Sequence, residues 1–373
     1  MSYFDQRLPA FDTLPGLVLV ITALSGEIPT DLITHFSGGN QYKAKAVKRL
    51  KRDKLIRSFY RDGLRGLRLT TTAKKLLLEA YPDWLLPYLS GKAETNRLKS
   101  EIPRRLRLHR MAEVLVIMLN SGAAIFPWEK PAFTKAKLIK NHSQISTPTY
   151  FTSRELKEFW PQANKFRGAR ATGVLIRDRD VFLIYNTGAG EMNWNYKAEM
   201  RLKAFLQVEF PSRTRPSAIV FGSSMSHMEP LMGIGSKCLH NYLILDENFR
   251  HFFYLTNDHH GEILLQILYN KGLRATLDTI LLENLSAGRP DAAIVNDGYD
   301  EYGDPVLFGY LCDMPRIKRF DTALSLHEQH GTLICFDFQE QSLRRICSPR
   351  VTLQCIDFDA FERSVFYPTE ENC

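Results

Sequence analysis

The stretch QYKAKAVKRLKRDKLIRSFYRDGLRGLRLTTTAKKLL, Gln41 to Leu77, decides the fold at this end of the chain. It opens as a helix running from about Asn40 to Arg52. At 100° per residue Ala44, Val47 and Leu50 share one side of that helix, and Gln41, Tyr42, Lys45, Lys48, Arg49 and Arg52 project from the other. Leu55, Ile56, Phe59 and Tyr60 then read as a strand, Asp62-Gly63 as a hairpin turn, and Leu67-Arg68-Leu69 as the returning strand. Arg61, Arg65 and Arg68 decorate the hairpin. Thr70 to Thr72 cap a further helix through Leu76, Leu77 and Leu78.

Residues 43–68 hold eleven lysines and arginines against Asp53 and Asp62, a local charge of +9 in a chain of 373 residues whose total is +8. The remainder is therefore close to neutral. Positive charge confined to one helix and one hairpin is what a polyanion-binding module needs. The outward helix face offers charge for phosphates and amide or guanidinium groups for base edges. The plainer alternative is a solvated basic face, or one that meets an acidic protein.

Upstream, Leu14, Leu17, Val18, Ile21 and Leu24 recur at helical spacing, with Pro15 near the start and Gly26 at the end. Thr30 is expected to cap a short helix over 31–36, and Ser37-Gly38-Gly39 to turn the chain. Three helices, a basic hairpin and a closing helix resemble a winged helix-turn-helix over roughly the first 85 residues. That resemblance implies that helix 40–52 enters the major groove of duplex DNA while the hairpin, as the wing, contacts the backbone. The domain expectation is a winged-helix domain over 1–90, a basic connector over 91–110 and a mixed α/β domain over 111–373. In the connector seven basic residues face two glutamates, and Arg104, Arg105, Arg107 and Arg110 extend the basic character beyond the wing.

The rest of the composition is that of a globular chain. The apolar run Leu14–Leu24 is broken and far too short to span a bilayer, and the N-terminus lacks a secretory pattern. The six cysteines, Cys238, Cys312, Cys335, Cys347, Cys355 and Cys373, form no CxxC pair and read as free thiols of a cytoplasmic protein.

From about residue 150 strand-like and helix-like stretches alternate, which predicts an α/β or α+β domain. Helices are expected at Ser153–Phe159, 192–208 and 263–269. Strands are expected across 173–185 and at 217–221, 242–245, 252–255, 292–295, 306–311 and 332–338. The candidate chemistry is Arg289-Pro290-Asp291-Ala292-Ala293 followed by Asp313, which resembles the PD-(D/E)-x-K nuclease signature. That likeness implies a Mg²⁺ held by Asp291 and Asp313, with a lysine activating water. Pro315 stands where the lysine belongs, and Lys318 lies beyond it; Pro-Asp is also an ordinary turn pair at the start of a strand. Without that motif the reading is a non-enzyme with no cofactor. Asp258-His259-His260 and His327-x-x-His330 lack metal-site spacing, Gly233–Lys237 lacks the phosphate-loop gap, and GSSMSH (222–227) has no nucleophile elbow.

The whole, a basic winged helix ahead of a larger mixed domain with an RPDAA segment, resembles the replication-relaxation family of plasmids and integrative conjugative elements. The resemblance implies an accessory DNA-binding role in replication, relaxation or mobilisation of a bacterial mobile element, in company with other replication or conjugation proteins and without a membrane. The alternatives are a metal-dependent nuclease, a transcriptional regulator and a protein-interaction module.

Overall fold

The computed structural model describes residues 8–90, 101–131, 146–159, 168–178, 180–190, 192–209, 215–232, 249–287 and 293–366. Arg289, Pro290, Asp291 and Ala292, the strand expected at 242–245, the 233–237 run, Cys238 and Cys373 lie outside the described residues. The protein is mixed α/β and separates into two compact units, Met1–Asn186 with Val208–Ser212, and Thr187–Gln207 with Arg213–Cys373. The expected connector at 91–110 falls inside the first unit, and its described part begins a single helix that runs on to Asn120. Among the described residues no helix is long and apolar enough to cross a membrane.

In the first unit, helix α1 (Leu14–Ser25) starts where the Thr13 hydroxyl accepts the Gly16 N–H, and stops at Gly26, whose φ of 95° favours glycine. It is buried on nearly every side, with Val18, Leu19, Ile21 and Leu24 fully enclosed. Strand β1 (Ile28–Pro29) follows, then a 3₁₀ turn over Asp31–His35. Thr30 itself is helical and makes no side-chain cap, contrary to expectation, because a cap needs the extended backbone that Thr30 lacks. Helix α2 (Asn40–Arg52) leads into strands β2 (Ile56–Arg61) and β3 (Leu64–Leu69), which form one antiparallel sheet in the order β1-β3-β2. The Thr70 hydroxyl accepts the Ala73 N–H and starts α3 (Thr71–Ala80); α4 (Pro82–Leu89) and α5 (Ile102–Asn120) complete the helical layer. Beyond them lie β4 (Thr149–Thr152), α6 (Ser153–Phe159), β5 (Gly173–Arg177) and β6 (Asp180–Gly188), with β5 antiparallel to both β4 and β6.

The second unit takes in most of α7 (Tyr196–Glu209), then β7 (Ser217–Gly222), α8 (Met228–Leu231) and β8 (Phe252–Thr256). Strands β7 and β8 are parallel and buried at every residue, as strands covered on both faces must be. Helices α9 (His259–Tyr269) and α10 (Lys271–Leu282) start at the side-chain caps Asp258 and Asn270. The chain continues through β9 (Ser286–Ala287), β10 (Gly298–Tyr299), β11 (Pro305–Phe308), α11 (Met314–Leu326), β12 (Gly331–Phe336), α12 (Asp337–Ile346), β13 (Val351–Ile356) and α13 (Phe358–Phe366). These strands make a sheet in the order β13-β12-β11-β10-β9, parallel between β11, β12 and β13. Residues 293–295, expected as a strand, are irregular; the strand forms at Gly298 and Tyr299, where it pairs with β9 and β11.

Candidate nucleic-acid interface

Helix α2 is held down by Lys43, Ala46 and Leu50 rather than by the expected Ala44, Val47 and Leu50. Ala44 is exposed and Val47 half-buried. Lys43 takes the interior position because its methylene stem packs while its Nζ donates to the Thr34 carbonyl at 2.7 Å. The opposite side carries Gln41, Tyr42, Lys45, Lys48, Arg49 and Arg52, all exposed as expected. Its last turn holds Arg49, Lys51 and Arg52, where positive charge suits the helix dipole. Asp53, just past the end, draws Arg49 to 3.6 Å and Arg52 to 3.1 Å.

The hairpin turns on Asp62 and Gly63, both at positive φ (50° and 79°), which is the backbone of a two-residue type I′ turn. Register pairs Tyr60 with Arg65 and Arg61 with Leu64 across it. The Arg65 guanidinium lies 5.6 Å from the centroid of the Tyr60 ring, and both side chains are exposed. Arg61 is exposed and touches Asp62 at 3.2 Å.

Arg68 departs from the expectation. It is 7 % exposed and faces inward, where its Nε donates to Glu27 Oε2 at 2.8 Å. Glu27, fully buried just after α1, is the hub of a four-residue network. Arg105 of α5 donates from Nε to both Glu27 oxygens at 3.0 and 3.2 Å, and His109 Nε2 lies 2.9 Å from Oε1. Arg105 also donates to the Phe59 and Arg61 carbonyls of β2 at 3.2 Å each. The Phe59 ring packs beneath both guanidiniums, at 3.8 Å from Arg68 and 4.7 Å from Arg105. Burial pushes the Glu27 carboxyl upward, but the hydrogen bonds from His109, Arg105 and Arg68 outweigh it and hold the group at about 2. Arg105 is thus no part of an outward basic surface: it ties β2 to α5 through the interior.

The sequence carried one trace of this hub. Gly66 interrupts β3, and a glycine inside a strand marks close approach. A Cβ there would fall 2.2 Å from Glu27 Oε1. Two of the eleven basic residues in 43–68, Lys43 and Arg68, are therefore interior, and the other nine are exposed.

The candidate acid Asp313 sits at the N-terminus of α11, not on a strand. One of its oxygens lies 2.7 Å from His251 Nδ1, and the other accepts the Phe252 N–H at 3.2 Å. Pro315 lies in the first turn of α11, so the stretch in which the nuclease motif needs its lysine on a strand is helical. Asp291 lies outside the described residues. Glu113, in the first unit, accepts a hydrogen bond from Asn186 at 2.7 Å. Among the described residues no group of three or more His, Cys, Asp or Glu side chains is arranged to hold a metal. His259 pairs with Glu362 at 2.7 Å, His260 stacks on Phe338 at 4.1 Å, and Ser223 Oγ lies 3.3 Å from His227 Nδ1. Comparison with protein-family models, with curated proteins and with solved structures returned no match.

Proposed function

We propose that the first unit binds duplex DNA as a winged helix-turn-helix, with α2 in the major groove and the β2–β3 hairpin as the wing on the backbone. The observation that carries this reading is the set of nine exposed cations on α2, its following turn and the hairpin, against Asp53 and Asp62 alone. The order helix, short strand, helical turn, helix and hairpin, with β1 closing the sheet beside β3, supports it. Exposed Gln41, Lys45, Lys48, Arg49 and Arg52 offer donors to bases and phosphates; Arg61 and Arg65 offer them from the wing. The cellular role we propose is that of an accessory DNA-binding protein of a bacterial mobile element, as the resemblance to the replication-relaxation family implies.

The test is fluorescence anisotropy of labelled duplex DNA over a salt series, with wild type and Lys45→Ala/Arg49→Ala/Arg52→Ala. Binding should weaken steeply with salt, and the triple variant should lower both the affinity and the slope of log K against log salt. Each lost phosphate contact removes about 0.9 from that slope, so the loss approaches about 3 if all three residues touch phosphate. Absence of binding by the folded protein at low salt would overturn the proposal and favour an acidic protein partner.

A further inference from the structure

Strands β12 and β13 run parallel in register over six residue pairs, and Cys335 stands directly beside Cys355. Directly paired residues on neighbouring strands project to the same face, and here the two Sγ atoms lie 4.0 Å apart. Neighbouring strands are spaced about 4.8 Å apart. That spacing falls within the roughly 4.4–6.8 Å between Cα atoms that a disulfide spans. Bond formation therefore asks for side-chain rotation and little movement of the backbone. The two thiols differ in access: β13 is the outer strand of its sheet and Cys355 is exposed, whereas Cys335 is buried. An accessible thiol in contact with a shielded one is the arrangement in which an attacking sulfur has a resolving partner.

The geometry points to Cys335 and Cys355 as a reversible dithiol–disulfide couple, a modification site for low-molecular-weight disulfides of the glutathione class. The Cys355 thiolate attacks one sulfur of the disulfide RSSR, the S–S bond breaks, and RS⁻ leaves and takes a proton. Cys355 then carries a mixed disulfide. Cys335 gives its proton to solvent, attacks the Cys355 sulfur and expels the second RS⁻, which is protonated in turn. Two protein thiols are oxidised by two electrons, and RSSR is reduced to two RSH.

Burial pushes the Cys335 thiol up, as does the neighbouring Cys355 sulfur; burial and the nearby Glu340 and Asp337 carboxylates push Cys355 up. Thiolate is therefore scarce at neutral pH, and exchange speeds up in mildly alkaline buffer. The cross-link encloses α12 and fastens the outer strand β13 to the body of its sheet. An exposed bridge of this kind belongs to the readily reduced class rather than the permanent one.

The experiment treats the full chain with oxidised glutathione in mildly alkaline buffer and reads intact mass and a non-reducing peptide map, cysteine by cysteine. Wild type should lose two hydrogens, retain no glutathione on this pair, and yield one linked peptide pair holding Cys335 and Cys355; dithiothreitol should restore both thiols. Cys335→Ala should stop at one glutathione on Cys355. Cys355→Ser should lose the link and leave Cys335 unmodified. A lasting glutathione adduct on Cys355 of wild type would overturn the proposal. So would a link from either residue to Cys312, Cys347, Cys238 or Cys373, or an unreactive Cys355 in folded protein. Should Cys335→Ala not fold, wild type and Cys355→Ser, changed only at the exposed position, still decide the matter.

Discussion

Replacing Glu27 by glutamine keeps the shape of the hub and removes its charge. In the native protein the carboxylate is fully buried and meets Arg68, Arg105 and His109. Breaking a buried ion pair from one side leaves uncompensated charge and costs about 3–5 kcal/mol. A second route gives a similar figure: holding the carboxyl at about 2 rather than 4.5 is worth about 3 kcal/mol of folding free energy. For a unit of this size, about 3 kcal/mol lowers Tm by roughly 6–12 °C. Trp84 and Trp128 pack against one another in this unit, with ring centroids 5.1 Å apart and planes tilted by 45°, and report its unfolding by fluorescence in a denaturant titration. The sign of the pH dependence follows from the depressed carboxyl. Its stabilisation is complete above about 4.5 and is lost as pH falls towards about 2. Glutamine has no proton to gain, so the gap between wild type and Glu27→Gln should close across that window. A variant within about 0.5 kcal/mol of wild type at neutral pH, or a gap that persists in acid, would refute the reasoning.

Gly66→Ala places a methyl 2.2 Å from Glu27 Oε1 and should destabilise the first unit by about as much as Glu27→Gln; in a Glu27→Ala background the same change should cost far less, a non-additivity that a double-mutant cycle measures. Thr70→Ala removes the cap of α3, an acceptor for the Ala73 N–H at 3.1 Å, and should cost about 1 kcal/mol in denaturant titration, with Thr70→Ser retaining most of the stability. Asp313→Ala should destabilise the second unit by about 1–3 kcal/mol, and Asp313→Asn by less, since asparagine keeps an acceptor for the Phe252 N–H. The reverse order would remove the structural role assigned to that carboxylate.

What the sequence disclosed is what local physics determines. Asp62-Gly63 forces a tight hairpin, Thr70 caps a helix and Pro15 opens one, and each signal acts within a few residues of its effect. Strand β1 is only two residues long and exists through its pairing with Leu67 and Gly66, so no local pattern announces it. The packing phase of α2 was displaced because a lysine filled an interior position. Pro315 spoke against the nuclease motif and equally announced the start of α11, since proline in a first helical turn is a start signal. The mixed α/β class follows from alternating patterns, while α10, α12 and β13 are hard to read in the sequence because few of their apolar side chains are buried: α10 buries only Leu277, Leu343 is the one buried apolar residue of α12, and β13 buries no residue fully.

Charge alone does not separate the exposed cations of the basic segment from the enclosed ones. Arg65 and Arg68 are three residues apart on one strand, yet one is exposed and the other is enclosed with a glutamate 41 residues upstream. Arg105 joins the same glutamate from 78 residues downstream. Exposed cations interact with phosphates through water and are screened by salt over about 10 Å at 0.1 M. The enclosed ones act at contact distance in a medium that salt does not enter. On the proposed DNA-binding reading, raising ionic strength should therefore strip DNA from the protein while leaving the hairpin fixed to α5. A charge-removal scan that treats all eleven basic residues alike would mix loss of affinity with loss of fold. Substitutions at Lys45, Arg49, Arg52 and Arg65 report on the surface, and those at Arg68 and Arg105 report on the frame that presents it.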